Sequence, residues 1–251
     1  MKPAPATPWQ RLTGRGMYPV EYARWLLNPL RYLIIPPGRI VDRLQLSPTD
    51  RVLEVGCGPG FFSPAIARRL SAGHLTIFDA QAPMLDMARR RVAKQRLTNF
   101  TSVCGSGDGL PFADAVFDVV FMITVLGEIP DGAAAIREAA RVLRSGGRFS
   151  STEAAGDPDR VKQTELDELA ALAGLAKGES GPSTTKSQSR WRCELQKSAG
   201  GKIKKLAGFG AARQAHRQDF FGHRLGCRQR HRIFTGHDLR SHPGPRRSRI
   251  E

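Results

Sequence analysis

The chain has 251 residues, 40% of them hydrophobic, with 39 Lys and Arg against 23 Asp and Glu. That length carries one domain with a sizeable core, and the net charge of +16 is uneven, because residues 176–251 hold 18 basic and 5 acidic residues and leave only +3 for residues 1–175. A membrane span is excluded by pattern: the most apolar early segment, Trp25 to Ile35, is interrupted by Asn28, Pro29 and Arg31 and falls short of the ~20 residues required. The four cysteines, Cys57, Cys104, Cys193 and Cys227, show no CxxC pairing, which argues against a zinc centre and against a disulfide framework. No metal is assigned, and a reducing, cytoplasmic location is expected.

Residues 1–17 lack an apolar run and read as a disordered N-terminus without a leader. From Tyr18 to Leu44 the aromatic and aliphatic set Tyr22, Trp25, Leu26, Leu27, Leu30, Tyr32, Leu33 and Ile34 predicts a helical segment, with residues 18–48 forming the entry to the core. Val52 to Val55 then reads as a buried strand leading into Gly56-Cys57-Gly58-Pro59-Gly60. Alternate glycines let the backbone turn sharply and approach a ligand with no Cβ in the way, and Ser63-Pro64 predicts an N-cap and first residue of the helix that follows.

The spacing is Gly-x-Gly-x-Gly, with Phe61 where a dinucleotide fingerprint wants its third glycine, and Glu54 lies two residues before Gly56. A pyrophosphate needs bare N–H donors, whereas a carboxylate suits the methionine ammonium of S-adenosylmethionine, directly or through water. S-adenosylmethionine is therefore the expected cofactor rather than NAD. Cys57 within the turn reads as a small packing residue beside the cofactor, since methyl transfer from a sulfonium needs no thiol.

Further strands are expected at His74 to Asp79, Phe100 to Cys104, Val116 to Ile123 and Arg148 to Thr152. Helices are expected at Pro64 to Leu70, Pro83 to Lys94, Asp131 to Arg144 and about Val161 to Ala173. Strict alternation predicts right-handed βαβ units in a Rossmann-like, doubly wound and mainly parallel sheet, with ligands at the strand C-termini. Asp79 ends the second strand, 25 residues after Glu54, where a carboxylate can accept both ribose hydroxyls; helix capping is the competing role. Ala80 accompanies it in the cofactor site.

Four motifs in register, VLEVGCGPG, LTIFDA, LPFADAVFDVVFMITVLGEIPD and EAARVLRSGGRFSSTE, make residues 18–175 resemble the class I S-adenosylmethionine-dependent methyltransferases. The group that includes the ubiquinone and menaquinone C-methyltransferases is the nearest in pattern. The resemblance implies a methyltransferase acting on a small-molecule acceptor, with the ribose on Asp79. Relatives place an Asp near the adenine where this chain has Ser106, with Asp108 two residues later; either side chain is a candidate acceptor, and weaker cofactor binding is expected.

Similar enzymes pass the loop that here begins at Thr124 under the transferring methyl group. Glu128 is the candidate general base in it and equally a loop anchor, while Asp131 reads as a helix N-cap. The N-terminal segment serves similar enzymes as a lid over the acceptor; here it could instead be a helix packed on the sheet. An apolar lid suits a lipid or quinone-like acceptor, and Arg24 and Arg31 would let residues 22–35 touch a membrane surface.

The family normally adds two strands after the helix at about Val161 to Ala173, the last inserted antiparallel. None is legible here, so the expected sheet lacks them, and residues 176–251 read as a basic, disordered tail. A coding frame shifted near residues 175–180 would explain this. Re-reading each codon from the last base of its predecessor makes Ser187, Ser189 (as TCN codons), Trp191 and Cys193 apolar, a period-two strand, and allows a stop at Cys193-Glu194. Two other readings compete: a catalytically impaired remnant without its last strands, and a nucleic-acid-binding protein using the tail. The tail's few aromatics are not interleaved as stacking platforms, which disfavours nucleic acid.

Overall fold

The computed structural model describes residues 17–30, 36–153, 159–178, 188–193 and 233–235, the last two segments as backbone only. The expected disorder of residues 1–16 and of most of the tail falls outside the described residues. A short 3₁₀ turn, Val20–Tyr22, leads into α1 (Ala23–Leu26), and α2 (Pro37–Leu44) precedes the sheet. The strands and helices then alternate: β1 (Arg51–Val55), α3 (Ser63–Arg69), β2 (His74–Asp79), α4 (Ala82–Lys94), β3 (Phe100–Cys104), β4 (Phe117–Ile123), α5 (Gly132–Val142), β5 (Leu143–Thr152) and α6 (Gln163–Leu172).

β1 to β5 are parallel neighbours in the order β5-β4-β1-β2-β3. Their apolar runs are buried on both faces, as parallel strands require. One face packs Phe117, Val120, Phe149 and the α5 and α6 residues Ile136, Ala139 and Leu166. The other packs Val52, Ile77, Phe121, Ile66 of α3, Ala88 and Val92 of α4, and Val41 and Leu44 of α2. Side chains such as Phe78, Phe121 and Phe149 have almost no solvent contact, each worth roughly 1.5–3 kcal/mol of burial.

The expectation of missing last strands is overturned. β6 (Leu175–Lys177) and β7 (Gln188–Cys193) follow α6, and β7 lies antiparallel between β5 and β6, pairing Trp191 with Phe149 and Leu175 with Cys193. β8 (Ile233–Thr235) adds an antiparallel strand beside β3, giving the order β6-β7-β5-β4-β1-β2-β3-β8. β6 has three residues, and β7 carries only two apolar residues, Trp191 and Cys193, beside its arginines, so backbone pairing rather than hydropathy defines them. Of the cysteines expected to form no disulfide framework, Cys57 is a free thiol, whereas Cys104 at the end of β3 is disulfide-bonded.

The ends of α3 and α5 differ from expectation. Ser63 is not the N-cap of α3: Phe62 holds that place, Ser63 is the first helical residue, and its hydroxyl is used elsewhere. α5 stops at Val142 rather than Arg144, because Leu143 to Gly147 already joins β5, with a register shift between Phe117 and Val119. Asp131 is the N-cap expected of it, accepting from the Ala134 N–H at 2.8 Å.

Candidate functional site

The strand order β4-β1-β2 puts three loops side by side at the C-terminal edge of the sheet, with the glycine turn in the middle. Its glycines do different work. A Cβ on Gly56 would lie 2.3 Å from a Val125 methyl, and one on Gly60 would lie 2.7 Å from the Ala88 Cα of α4, so both permit close packing. One on Gly58 would meet only Leu26 of α1, at 3.9 Å, which makes Gly58 the open point of the turn.

Two carboxylates lie beneath this turn. Glu54, 2% exposed on β1, accepts from the Ser63 hydroxyl at 2.6 Å through Oε2. Burial pushes its carboxyl up to about 8, opposed by the Ser63 hydrogen bond and aided by the charge of Asp79. Asp79, 7% exposed at the end of β2, accepts from the Gly58 N–H through Oδ2 and from the Gln81 N–H through Oδ1, both at 2.8 Å. Burial pushes it up to about 6, against the N–H donors of Gln81, Gly58 and Ala80. The capping role considered for Asp79 is not filled, since Gln81 is the N-cap of α4. Cys57 is buried beside these carboxylates, and desolvation followed by their charges raises its thiol well above the usual range, so it packs rather than reacts.

The loop after β3 is more open. Ser106 is exposed and donates to Oδ1 of the partly buried Asp108, while Gly105 and Gly107 press against Phe78 and Ile129. From behind, Arg141 of α5 donates to the carbonyls of Leu110 at 3.0 Å and Phe112 at 2.8 Å, and Glu138 accepts from the Leu110 N–H at 2.9 Å.

On the β4 side, Thr124 has a φ of 52°, a rare conformation for a β-branched residue; its N–H donates to the Thr152 carbonyl at 2.7 Å and its hydroxyl to Ile123 at 2.8 Å. Glu128 ends a 3₁₀ turn, Leu126–Glu128, and its Oε2 accepts from the Tyr18 N–H at 3.1 Å. The structure thus brings Glu54, Gly58, Asp79 and Ala80 to one place, with Thr124 and Glu128 on one flank and Ser106 and Asp108 on the other. The roles of Ser63, Gln81 and Val125 were not anticipated: Val125 meets Gly56 across two strands, while Ser63 and Gln81 lie only nine and two residues from the carboxylates they serve, and that nearness is the signal that could have pointed to them.

This set fits a cationic, ribose-bearing cofactor. Burial raises both carboxylates, Glu54 to about 8 and Asp79 to about 6, and the turn above them is open at Gly58. Residues 52–147 match the family described as Methyltransferase domain. That stretch is a class I methyltransferase domain. S-adenosylmethionine is the cofactor of such a domain, and the residues around Gly58 are those that would hold it.

The chain is 33% identical over 115 residues to a ubiquinone/menaquinone biosynthesis C-methyltransferase of Ruegeria sp. (strain TM1040), covering 45% of this chain and 46% of that one. It is 34% identical over 120 residues to a demethylmenaquinone methyltransferase of Lactiplantibacillus plantarum, covering 47% and 50%. The chain therefore spans about half the length of these curated relatives. Among solved structures, an Aquifex aeolicus SAM-dependent methyltransferase superposes with a TM-score of 0.63 at 19% identity, over 70% of this chain and 98% of that one. Across this methyltransferase domain and its flanks, no helix among the described residues is long and apolar enough to cross a membrane.

Proposed function

We propose that the chain binds S-adenosylmethionine over the Gly58 turn and transfers its methyl group to a small-molecule acceptor of lipid or quinone-like character. The observation that carries this reading is the pair of buried carboxylates, Glu54 and Asp79, at the ends of adjacent strands beneath an open glycine turn. Asp79 would exchange its bond from Gly58 for the ribose hydroxyls, and Glu54 would balance the ammonium through Ser63 or water. When bound, S-adenosylmethionine would supply an activated methyl with a neutral thioether as the leaving group, so the chain's task is alignment and exclusion of water. The partial likeness to quinone-ring methyltransferases and the apolar side chains of Trp25 and Leu30, 69% and 64% exposed, support an apolar acceptor. β6 and β7 also remove the premise of the remnant reading.

Calorimetric titration of the full chain with S-adenosylmethionine, beside Asp79→Ala, tests the proposal. Saturable binding that Asp79→Ala weakens at least tenfold is expected. A folded chain that does not bind overturns it.

A further inference from the structure

Tyr18 lies against two loops at once. Its N–H donates to Glu128 Oε2 at 3.1 Å, and its carbonyl accepts from Gln81 Nε2 at 3.0 Å. Gln81 follows β2 and Glu128 follows β4, and β1 lies between those strands, so a segment fastened at both must cross the glycine turn that follows β1. Leu26 of the same segment approaches Gly58, with a methyl 3.9 Å from where a Cβ on that glycine would stand. The Tyr18 hydroxyl also bonds to the Tyr22 carbonyl at 3.4 Å, and Leu27 packs into the core beside α2 and α3, which anchors the far end of the segment.

We infer that Gln81 and Glu128 are positioning residues that strap residues 17–27 across the cofactor site, so that S-adenosylmethionine lies between the Tyr18 main chain and the Gly58 turn. This rests on the cofactor reading proposed above. Glu128 then works as a hydrogen-bond acceptor for the strap and not as a general base, which resolves the two roles its sequence position left open. The acceptor function needs an oxygen, not a charge, because the donor is a neutral main-chain N–H. Side-chain fastening of one main-chain residue at both its donor and its acceptor leaves the strap free to detach without disturbing the sheet. Cofactor exchange therefore requires that both contacts break.

The test measures two quantities on the full chain: S-adenosylmethionine dissociation by stopped flow, and hydrogen exchange at the Tyr18 amide. Glu128→Ala and Gln81→Ala should each raise the dissociation rate at least fivefold, and Glu128→Ala should also speed Tyr18 exchange. Glu128→Gln, whose amide oxygen can accept the same bond, should stay within twofold of the parent in both. Unchanged dissociation in both alanine variants overturns the strap, as does a Glu128→Gln variant as impaired as Glu128→Ala. If the parent chain binds no S-adenosylmethionine, the functional reading falls. The fastening of Tyr18 then stands if Glu128→Ala still speeds its exchange, and falls with the reading if it does not.

Discussion

The glycine turn after β1 and the loop after β3 both flank the proposed cofactor site, and they differ in how far their polar groups are buried. Around the turn the polar groups pair across the fold, Ser63 on Glu54 and the Gly58 and Gln81 N–H groups on Asp79, with Val125 and Ala88 close to the glycines. In the loop after β3, Ser106 is exposed and bonds to its neighbour Asp108, and a Cβ on Gly109 would meet nothing within 4 Å. The end proposed for the methionine and ribose is thus tied together by buried contacts, while the end proposed for the adenine is held chiefly from behind by Arg141 and Glu138. Rigid placement matters where alignment sets the rate, and less where a ring has only to be accommodated.

The contrast breaks most sharply at the glycines. Gly60→Ala places a Cβ 2.7 Å from the Ala88 Cα at a φ of +78°. Left-handed strain of roughly 1–2 kcal/mol and overpacking of ~1–3 kcal/mol together predict a loss of about 2–5 kcal/mol and a melting temperature lower by ~5–15 °C. Gly109→Ala meets no atom within 4 Å, and its melting temperature should stay within ~2 °C of the parent. Differential scanning calorimetry of the pair decides whether the turn is the stiffer loop.

Cofactor affinity should divide the same way. Asp79→Ala removes a buried carboxylate and leaves the Gly58 N–H without it, so a loss of ~10–100-fold is expected. Asp108→Ala, in the open loop, should cost only about threefold. Equal losses would show that the adenine end is as preorganised as the ribose end.

Titration sharpens the comparison, because the two raised carboxyls lie under the turn. Glu54, pushed up to about 8, holds its proton at neutral pH in the free chain, and an ammonium beside it favours the ionised form. Binding should release protons, and affinity should rise as pH increases from 6 to 8, by no more than tenfold per unit for one group. Calorimetry in buffers of different ionisation enthalpy reads the released proton. Stability without cofactor moves oppositely. Folded Glu54 keeps its proton up to about 8, whereas the unfolded carboxyl releases it near 4.5, so that contribution is full below 4.5 and is lost as pH rises through 8. Asp79 adds the same sign between 3.8 and about 6.

Much of the rigid region was legible in sequence. β2 and β3 begin and end where the apolar runs do, and the glycine motif marked the ligand turn, because parallel strands buried on both faces leave continuous hydrophobic stretches. The C-terminal edge was not legible: β7 is Gln-Ser-Arg-Trp-Arg-Cys and is recognised by pairing with β5. Within the site, Asp79 and Glu54 could be found from local spacing, whereas the contacts of Tyr18 with Gln81 and Glu128 span 63 and 110 residues and leave no periodic trace.

The smallest effect tests what holds the open loop. Arg141 donates to the Leu110 and Phe112 carbonyls and pairs with Glu138 and Asp114, and the Glu138 hydrogen bond is the main cause that raises its own pKa. Its side chain is about a third exposed, so its ion pairs are screened and most of its value lies in the two carbonyl bonds. At ~0.5–1.5 kcal/mol each, their loss in Arg141→Met should lower the melting temperature by ~2–6 °C. Cofactor affinity should fall only about twofold to fourfold, since the loop touches one end of the ligand. Arg137→Met is the control: Arg137 is an exposed residue of the same helix, 3.9 Å from Asp131, and should change neither quantity measurably. If Arg141→Met instead weakens binding as much as Asp79→Ala, Asp108 is held in place as firmly as Asp79, and the two loops differ in exposure but not in rigidity.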